Sequence, residues 1–353
     1  MARYDYEPKY GLENYTMVFT IEETFDPVAS TAWMQKNWLH SVSLSAAYVV
    51  LIYAGQKVVV TFDRINTPYH SHKNLSTFRN KDSLQIMEGR KPFCFDVPLF
   101  LWNTGLALFS LLGFVRMTPE WLWSWKENSF VYSVCTASYA QGVTGFWTEQ
   151  FAMSKVLELL DTAFIVLRKR PLLFLHWYHH VTVMIFTWHA YKDHTASGRW
   201  FIWMNYGVHA LMYAYYALRA LRLRLPKAIA MMVTVLQISQ MIMGIAIGVT
   251  VYRVKKSGEH CQQTWENLGL CFLIYFTYFL LFCNFFYHAY LKRNNRYAVE
   301  KKPSSKVCNA KFSYFQVDEN TAVQHLKEDI NANINSTAVM TKNPVRRRVQ
   351  RVD

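Results

Sequence analysis

Residues 171–189 read PLLFLHWYHHVTVMIFTWH, an apolar run that also holds a cluster of three histidines. A helix that crosses a bilayer needs about 20 residues, most of them apolar. His176, His179 and His180 are three, four and one residues apart, so their rings fall on one side of such a helix. Ionisable side chains at membrane depth are costly and usually mark a functional site. The run therefore predicts a membrane-spanning helix that carries a polar site.

Further apolar stretches of similar length occur along the 353-residue chain. The chain is 52% hydrophobic and 16% aromatic, but its mean hydropathy is close to zero, because long polar segments offset the apolar ones. This pattern predicts an all-α polytopic membrane protein with seven transmembrane helices. The predicted spans are residues 38–56, 97–115, 148–167, 171–190, 200–218, 228–252 and 266–290.

Basic residues predict the orientation of these spans. The segments on one side hold 27 lysines and arginines and those on the other side hold 10, and the more basic side of a membrane protein faces the cytosol. Residues 1–37 are then lumenal, and residues 38–290 form the membrane domain, with an extended cytosolic loop at 57–95. Residues 291–353 form a basic cytosolic tail whose polar composition predicts disorder. The segment 253–256 is an exception, since it is basic on the predicted outer side.

The predicted topology also sorts the cysteines and the glycosylation sequons. Among the six cysteines, Cys135 and Cys261 fall in predicted lumenal loops, where an oxidising environment allows a disulfide to persist. We expect them to be paired, and two unrelated cysteines are the alternative. The sequon at Asn14 is predicted to be lumenal and glycosylated, whereas those at Asn74 and Asn335 are predicted to be cytosolic and unmodified.

Three other predicted spans carry polar residues at helical spacing. These residues are Lys155, Glu158 and Asp161 in the third span, Asn205, His209 and Tyr213 in the fifth, and Gln237 and Gln240 in the sixth. A structural ion pair and interhelical hydrogen bonds are the alternatives to a functional role. From their depth, we expect these clusters and the histidines to converge on one chamber that opens to the cytosol.

Basic residues are predicted to surround the mouth of this chamber. They are Arg168, Lys169, Arg170, Arg222, Arg224, Lys227, Lys292 and Arg293. A collar of this kind suits an anionic ligand that carries phosphate. Its alternative role is to fix the topology alone.

The four polar clusters resemble the signature boxes of a known family and occur in that family's order. The boxes are Lys155-x-x-Glu158-x-x-Asp161-Thr162, His176-x-x-His179-His180, Asn205-x-x-x-His209-x-x-Met212-Tyr213 and Gln237-x-x-Gln240. They are similar to those of the ELO family of very-long-chain fatty acid elongases. The His-Trp-Tyr-His-His box is similar to that of the subgroup acting on saturated and monounsaturated acyl chains of palmitoyl length.

The resemblance implies a condensing enzyme of the endoplasmic reticulum membrane with an acyl tunnel open to the cytosol. As a very-long-chain 3-oxoacyl-CoA synthase, it would join acyl-CoA and malonyl-CoA to give 3-ketoacyl-CoA, carbon dioxide and CoA. The implied partners are these two substrates, the bilayer, a second copy of the chain, and the reductases and dehydratase of the elongation cycle. No permanently bound cofactor, metal or nucleic acid is expected.

Within that reaction, the histidines are the candidate acyl carriers. An imidazole that stays neutral in an apolar chamber keeps a lone pair for nucleophilic attack. We expect His179 to take the acyl group and His209 to assist acyl transfer or malonyl decarboxylation. The expected supporting residues are His176, His180 and Asn205 for orientation and oxyanion stabilisation, Lys155, Glu158 and Asp161 for local charge, and Tyr213, Gln237, Gln240 and the basic collar for substrate binding.

Two other functions share parts of this pattern. A membrane di-iron desaturase or hydroxylase also contains an HxxHH box, but its metal site needs more nitrogen ligands than the embedded histidines supply. A non-enzymatic seven-span receptor shares the span count and orientation, but charged clusters that open to the cytosol fit it poorly. Both functions stay open as alternatives.

Overall fold

The computed structural model describes residues 10–65, 95–168, 170 and 172–292. The regular structure in these ranges is helical, which confirms the predicted all-α class. The helices are α1 (Thr20–Glu23), α2 (Pro27–Asn37), α3 (His40–Ile65), α4 (Asp96–Trp123), α5 (Phe130–Cys135), α6 (Gly142–Glu158), α7 (Leu160–Leu167), α8 (Phe174–Lys192), α9 (Gly198–Ala220), α10 (Lys227–Lys256) and α11 (Trp265–Phe286). A 3-10 turn at Leu12–Asn14 precedes α1, and π-helical turns at Ser124–Asn128 and Tyr287–Leu291 extend α4 and α11.

Several of these helices are long and apolar enough to cross a membrane. Three meet both criteria alone, namely Asp96–Asn128, Lys227–Lys256 and Trp265–Leu291. Pro27–Asn37 and His40–Gln56 meet them as a pair bent by 55°. Histidines and tyrosines lower the hydropathy of α8 and α9. The protein is thus a polytopic membrane protein, and the count of seven spans stays a prediction.

Six long helical segments form a ring in which each contacts the next. Their order around the ring is α4, α6 with α7, α8, α11, α10 and α9, and α9 contacts α4 again. Ion pairs show that α4 and α9 run antiparallel, because Asp96 at the start of α4 bonds Arg222 just beyond α9, while Glu120 near the end of α4 bonds Arg199 at the start of α9. Helix α3 packs against α7 and α8.

A disulfide between Cys135 and Cys261 closes one end of the ring. It joins the end of α5 to the loop before α11, as the sequence predicts. Gln262 strengthens this connection, since its N–H donates to the Cys135 carbonyl (2.9 Å) and its side-chain oxygen accepts from the Ala137 N–H (2.6 Å). We call this the disulfide end. The opposite end, where Arg222 lies, is the basic end.

The segment before α3 packs onto the disulfide end through a buried carboxylate. Glu22 is 1% exposed and accepts hydrogen bonds from Arg116 (Nε, 2.8 Å) and from the Trp147 indole (2.6 Å). Burial alone would raise the pKa of Glu22, but hydrogen bonds from Arg116, the Phe19 N–H and Trp147 outweigh it and hold that pKa below its usual value. Glu22 therefore fastens this segment as a carboxylate.

Acidification is expected to loosen the segment at residues 10–37. A carboxylate with a depressed pKa stabilises the fold above its unfolded-state pKa, and that contribution is lost as the pH falls through the folded-state pKa. The protection factors for hydrogen exchange in this segment, which are corrected for the intrinsic pH dependence of amide exchange, should therefore fall in acid. In Glu22→Gln they should be low already at neutral pH and change less on acidification. Wild-type protection factors that are equal at both pH values would contradict the assignment.

Arg199 forms a second buried ion pair inside the disulfide end. Its side chain is fully buried, and it donates to the Glu120 carboxylate through Nε (2.9 Å) and Nη2 (2.7 Å) and to the Ser133 carbonyl and the Ser138 hydroxyl. Four elements thereby meet at one guanidinium, since these partners come from α4, α5 and the loop before α6 while Arg199 belongs to α9.

Arg199→Met is expected to destabilise the protein by about 3–5 kcal/mol, because it leaves the Glu120 charge buried without its partner. The midpoint of thermal unfolding in detergent measures this loss. Arg199→Met combined with Glu120→Leu should recover part of it, since the double variant buries no charge there. A double variant less stable than either single variant would show that the unpaired buried charge is not the cause of the destabilisation.

Candidate active site

A cavity inside the ring is bounded by α6, α8, α9, α10 and α11. The space among its lining residues that protein atoms do not fill is about 740 Å³, including open solvent at its mouth. Its walls are mostly apolar, and they include Phe151, Val183, Phe186, Phe201, Met241 and Ile274. His179, Asn205 and Gln240 contribute polar groups to it, and from His179 it extends along α8 to Tyr191, near the disulfide end. This stretch of α8 is about 18 Å long.

The three histidines of α8 occupy different surroundings. His179 lines the cavity, and its ring centroid is 5.0 Å from that of Tyr278. His176 lies one turn from His180, with ring centroids 4.5 Å apart, and its Nε2 is 2.9 Å from the Thr162 hydroxyl. The shared face expected from the spacing thus holds most closely for His176 and His180. His179 is the one of these three that borders the cavity.

Two hydroxyl groups fix the backbone of α8 beside His179. The Tyr278 hydroxyl donates to the His179 carbonyl (3.2 Å), and the Thr182 hydroxyl lies 2.5 Å from that of Tyr278. Tyr278 also lines the cavity. Neither residue belongs to a signature box, so sequence reasoning missed this contact.

A buried lysine–glutamate pair lies beside the cavity. Lys155 Nζ donates to Glu158 Oε1 (2.7 Å) and to Asn205 Oδ1 (3.2 Å), and both charged side chains are almost fully buried. His209 Nδ1 is 4.0 Å from the same Glu158 oxygen. Residues of two predicted boxes therefore meet on facing sides of α6 and α9, as the sequence predicts.

Asp161 lies one turn beyond this pair in the third predicted span. Helix α6 ends at Glu158 and α7 begins at Leu160, and the residue between them, Leu159, keeps right-handed helical dihedral angles (φ −59°, ψ −25°). Asp161 accepts hydrogen bonds from the Trp102 indole (2.6 Å) and the Tyr213 hydroxyl (2.8 Å). The Tyr213 ring in turn packs against His209.

A further hydrogen-bonded chain reaches the site from α3. The Tyr48 hydroxyl is 2.6 Å from that of Thr162, which contacts His176. Thr162 stands in the first signature box, but Tyr48 and Trp102 do not. An aromatic residue in a predicted span faces lipid as readily as protein, so sequence spacing alone did not identify these two.

The predicted substrate-binding residues divide into several environments. Gln240 lines the cavity, whereas the Gln237 amide lies 3.3 Å from the Met212 sulfur. At the basic end, Arg222 donates to Asp96 (2.9 Å from Nε) and Arg168 lies 4.0 Å from the same carboxylate. Asp96 was not recognised from the sequence.

The remaining predicted positions are distributed as follows. Arg224, Lys227 and Asn14 are exposed, and Arg170 and Lys292 are partly buried. Lys169, Arg293, Asn74, Asn335 and the tail beyond residue 292 lie outside the described residues, as does most of the loop at 57–95. Within the described ranges, no group of three or more His, Cys, Asp and Glu side chains is arranged to hold a metal ion.

The fold and site define a polytopic helical membrane protein with a partly buried histidine at an apolar cavity. Its sequence matches the model of the ELO family, described as the GNS1/SUR4 family, over residues 33–298. The chain belongs to this family, which confirms the resemblance seen in the four boxes. This assignment favours fatty acid elongation over the desaturase and receptor alternatives.

Curated relatives agree with the family assignment. The chain is 59% identical to a protein of Caenorhabditis elegans named putative fatty acid elongase 3, over all of both chains. It is 40% identical to very long chain fatty acid elongase 6 of Drosophila melanogaster, over 79% of this chain and 80% of that one. It is 37% identical to the Homo sapiens protein of the same name, over 77% of this chain and 92% of that one.

Proposed function

We propose that this protein is the condensing enzyme of fatty acid elongation, a very-long-chain 3-oxoacyl-CoA synthase. The observation that carries the proposal is the position of His179 on the wall of a long apolar cavity. The cavity suits an extended acyl chain, and the imidazole is a nucleophile at the point where the thioester carbon would lie. The elongase names of the relatives support the same reaction.

The proposed chemistry takes place in two transfers. A ring nitrogen of His179 attacks the acyl thioester, a C–N bond forms, the C–S bond breaks, and CoA leaves as its thiolate, which takes up the proton that the ring loses. Malonyl-CoA then loses carbon dioxide, and the resulting enolate carbon attacks the acyl-imidazole. A C–C bond forms, the C–N bond breaks, and the ring of His179 leaves and takes up a proton from solvent, with 3-ketoacyl-CoA as the product.

Polar residues at and beside the cavity are assigned roles by their contacts. Lys155 and Asn205 form a hydrogen-bonded pair at the cavity, so they can stabilise the negative charge that develops on thioester and enolate oxygens. His209, close to Glu158, is assigned to acyl transfer or to malonyl decarboxylation.

A second set of residues is assigned to positioning the histidines. Asp161 accepts from the Tyr213 hydroxyl, and the Tyr213 ring packs against His209. On the other side, Thr162 contacts the ring of His176. These contacts restrict the orientation of both imidazoles.

The cellular setting is part of the proposal. We place the protein in the endoplasmic reticulum membrane with its disulfide end and N-terminus lumenal and its basic end and C-terminus cytosolic. CoA would then bind among the cytosolic basic residues. A homodimer and association with the reductases and dehydratase of the cycle extend the proposal. A mobility shift on deglycosylation, absent in Asn14→Gln, is the expected sign of this orientation, and an unmodified wild-type chain would contradict it.

A condensation assay tests the proposed function. Purified protein is supplied with labelled malonyl-CoA and a panel of saturated, monounsaturated and polyunsaturated acyl-CoAs. We expect 3-ketoacyl-CoA two carbons longer than the acyl substrate, with the highest rate for saturated and monounsaturated chains of palmitoyl range. Product that does not depend on malonyl-CoA, or no product from any acyl-CoA, would overturn the proposal.

A further inference from the structure

Helix α3 lies outside the six-segment ring, but one of its tyrosines reaches the histidine cluster. The helix packs against α7 and α8. Tyr48 is 5% exposed, whereas Val49, Val50 and Leu51 beside it are exposed. The ring centroid of Tyr48 is 6.5 Å from that of His180. Tyr48 is therefore a point at which this outer helix meets the candidate active site.

The direction of the hydrogen bonds between Tyr48 and His176 follows from a count of protons. Thr162 Oγ1 is 2.6 Å from the Tyr48 hydroxyl and 2.9 Å from His176 Nε2. Neither hydroxyl has another hydrogen-bond partner among the described residues. Each hydroxyl has one proton to donate. If His176 donated to Thr162 and Thr162 to Tyr48, the buried phenol proton would have no acceptor, which is unfavourable.

The opposite direction satisfies both hydroxyl protons. Tyr48 then donates to Thr162, and Thr162 donates to Nε2 of His176. A ring nitrogen that accepts a hydrogen bond carries no proton, so the N–H of the neutral His176 ring lies at Nδ1. The chain of hydrogen bonds that begins at Tyr48 therefore selects one tautomer of His176.

The orientation of His176 bears on the other two histidines of α8. Its ring centroid is 4.5 Å from that of His180. The His180 ring lies 5.6 Å from that of His179 and nearly perpendicular to it. A rotation of His176 would therefore disturb the packing around the imidazole that is proposed to carry the acyl group.

We propose that Tyr48 is a positioning residue for the condensation, which acts through Thr162 to fix the tautomer and orientation of His176. This inference rests on the proposed function. Tyr48 lies outside the described wall of the cavity, so its hydroxyl acts on the histidine cluster and not on the substrate. The active site then includes a residue from a helix outside the ring and outside the four signature boxes.

Tyr48→Phe tests the proposal, because it removes the hydroxyl and keeps the aromatic ring. We expect kcat for condensation to fall on the order of tenfold, since a small misplacement of catalytic groups costs rate steeply. KM for both substrates should stay close to wild type. Tyr53→Phe is the matched control, because Tyr53 lies on the same helix and is 60% exposed, and it should keep the wild-type kcat. An unchanged kcat in Tyr48→Phe, or a rise in KM without a fall in kcat, would overturn the assignment.

The same substitution in a His176→Gln background separates positioning from a structural contact. A glutamine amide can turn either its oxygen or its nitrogen toward Thr162, so no tautomer is left to select. Tyr48→Phe should then have no further effect on the residual kcat. A further loss on the order of tenfold in this background would show that the Tyr48 hydroxyl only supports the packing of α3.

The tautomer can also be measured without any condensation. In protein whose histidine rings carry an NMR-active nitrogen isotope, the His176 signals are those lost in His176→Gln. We expect an unprotonated Nε2 and a protonated Nδ1 in the wild type. In Tyr48→Phe a larger share of the proton should lie at Nε2, because Thr162 is then free to accept.

These spectra distinguish a failure of the inference from a failure of the proposed function. A protonated Nε2 of His176 in the wild type would refute the direction of the chain, and an unchanged tautomer in Tyr48→Phe would refute the role of Tyr48. Protein that shows the expected tautomers but condenses no acyl-CoA would contradict the proposed function alone.

Discussion

Replacing His179 with alanine is expected to abolish condensation, with a fall in kcat on the order of 10³-fold or more. His179 supplies the nucleophile at the cavity wall, and the His179→Ala variant would leave the acyl thioester without an acceptor. Intact-protein mass spectrometry after incubation with palmitoyl-CoA alone measures the first transfer directly. The wild-type chain should gain the mass of one palmitoyl group, and His179→Ala should gain none.

His189→Gln is the matched control for this variant. His189 lies on the same helix near the disulfide end, where its Nδ1 is 2.7 Å from the Asn267 side chain. It should retain the acyl adduct and most of the condensation rate. An adduct that persists in His179→Ala but disappears in His209→Ala would transfer the role of acyl carrier to His209.

The sequence predicted the groups that form this site better than it predicted their arrangement. Spacing predicted that the rings of His176, His179 and His180 lie on one side of a helix. In the structure, the rings of His176 and His180 lie together, and His179 is the one that borders the cavity. Spacing could not decide which ring borders the cavity, because that depends on the rotation of α8 against α11. In the structure, Tyr278 and Thr182 make the contact that sets this rotation beside His179.

The partners of Asp161 show a second limit of sequence reasoning. Spacing placed Asp161 on the same span as Lys155 and Glu158, but it did not show which residues of other helices its carboxylate would contact. In the structure, Asp161 contacts Trp102 and Tyr213. These contacts join residues 59 and 52 positions apart, so they depend on helix packing and not on local periodicity.

The disulfide is the opposite case. Cys135 and Cys261 could be paired from sequence, because the predicted topology limits which cysteines can meet in an oxidising compartment. No detail of helix packing was needed for that prediction. Long-range contacts are therefore predictable where topology leaves few choices.

Charge at the basic end was predicted only in part. The count of arginines predicted a collar for an anionic ligand, and Arg222 and Arg168 do lie together. Both arginines contact the carboxylate of Asp96. Asp96 is the first residue of α4, where acidic residues are common because they interact favourably with the helix dipole, so its role at this end did not stand out in the sequence. A ligand phosphate would compete with this carboxylate for the two guanidinium groups.

Lys155→Met is expected to impair both stability and activity. The substitution would leave Glu158 buried beside His209 without the cation that neutralises it, at a cost of about 3–5 kcal/mol. Glu158→Gln leaves the lysine uncompensated and should cost a similar amount. Unfolding midpoints in detergent report the stability, and labelled malonyl-CoA incorporation reports the rate.

The double variant Lys155→Met/Glu158→Gln distinguishes a catalytic pair from a structural one. With no buried charge left, it should recover much of the lost stability, because replacing both members of a buried ion pair is often close to neutral. Its condensation rate should stay low, since the lysine no longer faces Asn205 at the cavity. Arg199→Met/Glu120→Leu is the comparison, because that pair lies away from His179 at the disulfide end and its double variant should regain activity together with stability. Recovery of both properties in Lys155→Met/Glu158→Gln would assign the pair to folding alone.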